Sequence, residues 1–190
     1  MMRIVVMYPT WGEARPFMLG SAGGTVECAA RTAGVLAARR PDFILLAGIA
    51  GAHPSVGLAK GDTVMVSREY AADVGTLREG RFIPLPVDGN DVKNNFYDNP
   101  TSVPPLFRSV ASDTVAVAGT PVRAESAAGI ENMEGAGFFA VCGALGVPFA
   151  ELRCISNYIG EERGRWRIAE AVGRLAEDVG RFIDAVREWS

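Results

Sequence analysis

Two short segments hold the side chains of this chain best suited to chemistry. In Glu131-Asn-Met-Glu-Gly-Ala-Gly-Phe-Phe139, the carboxylate of Glu134 stands among small and apolar neighbours at the start of a helix. In Arg153-Cys-Ile-Ser-Asn-Tyr158, a polar pair, Ser156 and Asn157, follows an apolar run. A buried carboxylate is costly unless a partner or a ligand meets it. A strand end followed by a turn is where open α/β sheets take their ligands. Together the two segments predict the floor of a small-molecule site.

Elements must bring these segments together, and the pattern supplies them. Arg3–Met7 is a short β-branched run and a good first strand. Residues 24–40 are rich in alanine and leucine and read as a helix, stopped by Arg39-Arg40 and Pro41. Asp42–Ala47 reads as an apolar strand leading into Gly48-Ile-Ala-Gly51. Gly61–Ser67 reads as a strand introduced by a Gly-Asp turn. Residues 84–105, rich in Pro, Asn and Asp, read as a long excursion of the kind that is often functional. Thr114–Ala118 reads as a strand, Met133–Leu145 as a helix closed by Gly146 and Pro148, and Phe149–Ser156 as a strand. Trp166–Trp189 is an amphipathic final helix. Strands alternating with helices predict an α/β protein, a single-domain three-layer α/β/α sandwich over residues 1–190 with a central mixed β-sheet. No internal repeat or linker divides the chain.

Composition narrows the classes of function. The 48 % hydrophobic content and 22 % charge are those of a globular protein with a substantial core. A net charge of −3 with no basic block disfavours nucleic acid or an anionic membrane as partner. The longest apolar stretch, Phe43–Ala52, is too short to span a bilayer. Met2–Met7 lacks the long apolar region of a secretory signal. Cys28, Cys142 and Cys154 show no CxxC spacing, which speaks against a zinc site or disulfides and fits a reducing cytoplasm. Each reads as a small core hydrophobe. With His53 as the sole histidine, a metal site needing two is excluded. His53, beside Pro54, reads as a loop residue.

Five ordered segments now point to a family. Ser21-Ala-Gly-Gly24, Ala47-Gly-Ile-Ala-Gly51, Gly61-Asp-Thr-Val-Met-Val-Ser67, Asn132-Met-Glu-Gly135 and Arg153-Cys-Ile-Ser-Asn157 occur in the order found in purine and uridine phosphorylases and nucleosidases. The chain resembles that family over nearly its whole length. It departs from the pattern between Leu19 and Ser21, where relatives usually place strands.

The resemblance implies roles. Glu13, in Tyr8-Pro-Thr-Trp-Gly-Glu13, resembles the glutamate that orients or deprotonates an attacking water; its structural alternative is a solvated helix-start glutamate. Arg153 resembles the arginine that holds this water with it; its alternative is a salt bridge to Glu13 or Glu151. Glu134 resembles the acceptor of the ribose 2′- and 3′-hydroxyls, and its alternative is a buried partner for an arginine. Met133 resembles the residue packed beneath the ribose, with plain core filling as alternative. Gly48, Ile49, Ala50 and Gly51 resemble the loop that lets backbone approach sugar and base.

Asn157 sets the expected specificity. Adenine-type nucleosidases of the family place aspartate there. An amide can donate to the O6 of a 6-oxopurine and accept from the N7–H that develops as the base leaves. Such a matched site can reject the wrong base by roughly 10⁴-fold. Hypoxanthine is therefore the expected leaving group, with Ser156 orienting the amide. Related phosphorylases supply an arginine and a threonine for phosphate where this chain has Leu46 and Ile49. Water is thus the expected acceptor, which makes the chain an N-glycosidase. An aromatic carboxylate tail on the nucleoside would suit Arg163, Arg165, Trp166 and Arg167, or Phe96 and Tyr97. No organic cofactor or metal is expected. A homodimer or higher homo-oligomer is, by resemblance. An adenine-releasing nucleosidase, a phosphorylase and a non-catalytic nucleoside-binding protein are the competing readings.

Overall fold

The run Phe-Ile-Leu-Leu-Ala-Gly-Ile-Ala-Gly-Ala at 43–52 has no polar face, and the fold uses it as a strand covered on both sides. In the computed structural model, which describes residues 2–9, 24–87, 94–121, 123–124 and 126–189, this is β2. Its side chains alternate between two cores, as the period of a strand requires. Ile44, Leu46, Ala50 and Ala52 join one cluster. Phe43, Leu45 and Ala47 join the other.

Helices cover both faces. On the first lie α1 (Thr25–Arg39) and α2 (Gly135–Leu145), contributing Cys28, Leu36, Phe138, Phe139 and Cys142. On the second lies α3 (Ile168–Trp189), whose Ala171, Leu175, Val179, Phe182 and Val186 recur at helical spacing. This is the expected three-layer α/β/α arrangement. The ends of α2 follow simple rules. Gly146 closes it at φ 62°, in the left-handed region that glycine tolerates.

The sheet is mixed. β1 (Ile4–Met7) pairs parallel with β2. β3 (Thr63–Ala71) pairs parallel with β7 (Arg108–Thr114) and antiparallel with β6 (Phe96–Asp98). β8 (Ile130–Asn132) lies parallel to β7 and antiparallel to β2. β9 (Phe149–Tyr158) pairs parallel with β2 and antiparallel with β3. The pairings β2–β9–β3–β7–β8–β2 therefore close into a ring. β4 (Gly75–Arg78) and β5 (Arg81–Pro84) form a separate hairpin. Its two-residue turn, Glu79 and Gly80, has φ of 51° and 77°, as tight hairpins require.

Several elements differ from expectation. The strand expected at Asp42–Ala47 continues to Ala52, because β8 and β9 pair with its glycine-containing end. The strand expected at Thr114–Ala118 lies instead at Arg108–Thr114. Its Ser112, Asp113 and Thr114 are buried although polar, so the hydropathy pattern hid it. The 84–105 excursion contains β6, and the β4–β5 hairpin and β8 were not anticipated. The helices begin and end within two residues of the expected limits. The Leu19–Ser21 connection lies outside the described residues.

Candidate active site

A register irregularity in β9 builds one half of the site. Ala50 pairs with Ile155 and Gly51 with Asn157, so Ser156 is the extra residue of a bulge. A bulge re-aims the side chains around it. Here the Ser156 hydroxyl donates to Asn157 Oδ1 at 2.8 Å, and Asn157 Nδ2 donates to the Tyr158 carbonyl at 3.1 Å. The carbonyl can only accept, which fixes which end of the amide is nitrogen. Among the described residues, one Nδ2 hydrogen and one Oδ1 lone pair remain for a ligand. Gly51 makes room for this amide. A Cβ there would lie 2.9 Å from Asn157 Nδ2 and 3.3 Å from Ile159.

The other half is a buried polar network fed by strands around the ring. Arg153 is fully buried, on the face of β9 that also bears Glu151, Phe149 and Ile155. Its Nε donates to Glu151 Oε1 at 2.6 Å. Nη1 donates to Glu134 Oε2 at 3.1 Å and to the Ile49 carbonyl at 3.2 Å, and Nη2 to Asn132 Oδ1 at 3.2 Å. Asn132 also caps α2, since its Oδ1 accepts the N–H groups of Glu134 and Gly135, each at 2.8 Å. Its Nδ2 donates to Glu69 Oε1 at 2.6 Å and to Ser112 Oγ at 2.7 Å. Thr114 Oγ1 accepts from the Ala136 N–H at 2.8 Å and donates to Glu69 Oε2 at 2.6 Å. Burial drives the Glu69 carboxyl well above the usual range, with the Glu151 charge adding to the rise. Burial also raises Glu151, against the opposing pull of Arg153.

The structural alternatives for two expected residues are therefore realised: Glu134 is a buried partner of Arg153, and Arg153 is bridged to Glu151. Neither pairing uses up Glu134. Its Oε1 makes no hydrogen bond among the described residues, and its side chain stays 10 % exposed. Met133 is 37 % exposed, so core filling does not account for it. Its carbonyl accepts from Thr25 Oγ1 at 2.9 Å. Gly48, Ile49, Ala50 and Gly51 run along β2 beside Arg153 to Asn157, in register with that end of β9. They are strand residues rather than the loop expected. Glu13 lies outside the described residues.

The segment after β9 folds back on the site: the Arg167 N–H donates to the Ser156 carbonyl at 2.8 Å. Within it, Trp166 Nε1 donates to the Glu161 carbonyl at 3.0 Å, and Arg163 stacks on the Trp166 ring at 5.3 Å. Phe96 and Tyr97 are on β6, beyond β3. Phe96 packs under Arg68 at 3.7 Å.

Residue type alone does not point to Glu69, Ser112, Asn132 or Thr114 as site residues, and offers Glu151 only as a partner of Arg153. The available signal was a charge inside an otherwise apolar strand, at Glu69 in β3 and Glu151 in β9. His53 lies in a loop, as expected, and also has a polar neighbour. Its Nε2 lies 3.5 Å from Arg123 Nη2, in a cluster where Arg123 meets Glu131 and Asp113. All three cysteines are buried and free. Among the described residues, no group of three or more His, Cys, Asp or Glu could hold a metal, and no helix is long and apolar enough to cross a membrane.

Comparison with known proteins places this arrangement. A family profile described as the phosphorylase superfamily matches residues 4–188. A futalosine hydrolase of Thermus thermophilus is 37 % identical over 172 residues, covering 82 % of this chain and 76 % of the relative. A futalosine hydrolase of Streptomyces coelicolor is 31 % identical over 196 residues, covering 90 % of this chain and 80 % of the relative. Among solved structures, an MTA/SAH nucleosidase superposes with a TM-score of 0.77 at 20 % identity, covering 97 % of this chain and 95 % of its own. At that identity the likeness is one of fold.

Proposed function

The chain belongs to the phosphorylase superfamily, and from that premise we infer that it hydrolyses the N-glycosidic bond of futalosine. The products are hypoxanthine and dehypoxanthine futalosine, and the reaction serves menaquinone biosynthesis. The futalosine hydrolases similar to most of this chain support the reading. The observation that carries the choice of base is the neutral amide of Asn157, held at both ends by Ser156 and the Tyr158 carbonyl.

In this reading the free Nδ2 hydrogen of Asn157 binds O6 of the 6-oxopurine, and Oδ1 accepts from N7–H. Glu134 Oε1 accepts from the ribose hydroxyls, and its charge supports the cation that grows on the ring. Met133 packs beneath the sugar, and Gly48–Gly51 line its approach. Glu13 and Arg153 hold a water at C1′. The C1′–N9 bond breaks with its electron pair going to the purine. The water oxygen bonds to C1′ and gives its proton to Glu13, which returns it to solvent, while N7 of the departing purine takes a proton from solvent and presents it to Asn157 Oδ1. Leu46 and Ile49 offer no donor for a phosphate nucleophile. No cofactor or metal takes part. We place the enzyme in the cytoplasm as a single-domain homo-oligomer, a dimer or higher, with a small nucleoside as its partner.

Incubation with futalosine in phosphate-free buffer, followed by mass identification of the released base, tests the proposal. Hypoxanthine is the expected product. Release of adenine from methylthioadenosine with futalosine untouched would overturn it, as would a strict need for phosphate.

A further inference from the structure

The network holds more carboxylate than its arginine can neutralise. Among the described residues, Glu69, Glu134 and Glu151 all belong to the Arg153 cluster. Glu69 and Glu151 are 0 % exposed. They close on one point: a Cβ at Gly135 would collide with Glu69 Oε1 and lie 2.9 Å from Glu151 Oε1. Two buried carboxylates that crowd one point meet favourably when one of them holds a proton and donates it to the other, since two ionised groups can only accept and repel.

Donor bookkeeping locates this proton. Both Glu69 oxygens already accept, one from Asn132 Nδ2 and one from Thr114 Oγ1. Asn132 cannot turn round, because its Oδ1 is taken by two backbone N–H groups. The Thr114 hydroxyl already accepts from Ala136, and if it also accepted from Glu69 its own hydrogen would lose the one acceptor recorded for it among the described residues. On Glu151, Oε1 accepts from Arg153 Nε, while Oε2 is buried without a partner among the described residues. An unpaired buried oxygen is costly, and a proton on it, donated to Glu69, removes the cost.

We propose that Glu69 and Glu151 share one proton, and that this acid pair is the positioning device that fixes Arg153 against Glu134. With both ionised, Arg153 would face three negative charges in a low-dielectric site. Its hold on Glu134 would weaken as the others drew it back. With the proton in place, the pair contributes a single charge and its Nε contact anchors the guanidinium. Nη1 then keeps its contacts with Glu134 and the Ile49 carbonyl. Among the described residues, the other titratable groups facing the pair are the thiols of Cys28 on α1 and Cys142 on α2. Burial raises both far above neutrality, so they add no charge. The consequence for turnover rests on the hydrolase reading, whereas the proton itself does not.

The test has two arms. In the free protein at pH 8, infrared difference spectroscopy of wild type minus Glu151→Gln shows a carboxylic-acid carbonyl band, because the amide replaces the protonated acid. A difference spectrum without that band overturns the proposal, whatever the substrate. In turnover, Glu151→Leu, which removes both the proton and the Arg153 anchor, lowers kcat/KM at least tenfold. Glu151→Gln restores it to within about threefold of wild type, since its carbonyl accepts from Arg153 Nε and its NH2 donates to Glu69. Glu69→Gln alone falls below that level, because its new NH2 either faces the Asn132 donor or displaces the Thr114 hydroxyl hydrogen from its acceptor. Equal activity of Glu69→Gln and Glu151→Gln overturns the bookkeeping. Should futalosine prove not to be cleaved, the proposed function fails while the infrared arm still decides the acid pair.

Discussion

Asn157 lies 23 positions after Glu134 in sequence, yet among the described residues each keeps polar capacity unused and directed to ligand chemistry. For Asn157 the unused groups are one Nδ2 hydrogen and one Oδ1 lone pair. Substitution by aspartate replaces the donor with an oxygen that repels O6 when ionised and can protonate N7 when it is not. Asn157→Asp is thus expected to shift preference from hypoxanthine toward adenine release, read as the ratio of kcat/KM for inosine-type and adenosine-type nucleosides. An unchanged ratio would remove Asn157 from base selection. For Glu134 the unused group is Oε1, while Oε2 holds Arg153. Glu134→Gln keeps the shape and loses the charge. A hydrogen bond to a charged group contributes about 1.5–3 kcal/mol, so kcat/KM is expected to fall about 10- to 100-fold. Steady-state kinetics checks this.

At the level of elements, two glycines decide how closely strand and helix approach. Gly135 is the first residue of α2, and its missing side chain lets the helix start sit on the Glu69–Glu151 pair. Gly135→Ala drives a methyl group into both carboxylates, which belong to buried strands and have little room to retreat. Overpacking of this kind costs about 1–3 kcal/mol. A lower urea midpoint with an unchanged slope is the expected result. Gly51 is different. The atom its Cβ would meet belongs to the Asn157 side chain, with Ile159 behind it. Gly51→Ala is expected to leave the urea midpoint nearly unchanged and to weaken base recognition, read as a raised KM. The bulge at Ser156 explains why so small a change reaches the site: the amide is aimed by an irregularity in pairing with this part of β2.

Across the whole molecule, buried acids set the pH dependence of stability. The folded-state values of Glu69 and Glu151 are raised above the ordinary 4.5, by burial first. In the interval above 4.5, the native state therefore keeps a proton that the unfolded chain releases. Stability is present in full below that value and is lost as pH rises toward the folded-state value. The urea midpoint is expected to decline as pH rises above 4.5, and less steeply in Glu151→Gln. A surface pair acts in the opposite sense. Arg3, by side-chain and backbone hydrogen bonds, holds Asp42 down at about 2, from an ordinary 3.8. That contribution is present above 3.8 and lost as pH falls through about 2. The three cysteines offer a further check. Burial pushes the Cys28 thiol up to about 12 and Cys154 up to about 11. The native protein is expected to resist a thiol reagent that labels it fully in urea.

The amino-acid sequence by itself determined the layers and the ends of the chemistry. The unbroken apolar run of β2, the helical spacing of Ala171, Leu175, Val179 and Phe182, and the stops at Pro41 and Gly146 are local signals, and each marks its element. Glu134 at a helix start and Ser156-Asn157 near a strand end were legible for the same reason. What Arg153 touches was decided only in three dimensions. Its partners come from β2, β9, the start of α2 and the Asn132 end of β8, a three-residue strand held by β2 and β7. Ser112, Thr114 and Glu69 look like solvent-facing positions by residue type, because hydropathy records a side chain's preference for water and not the partners waiting inside a fold. Ring closure supplies those partners, from strands up to about a hundred positions apart in the chain, and no local pattern encodes that pairing.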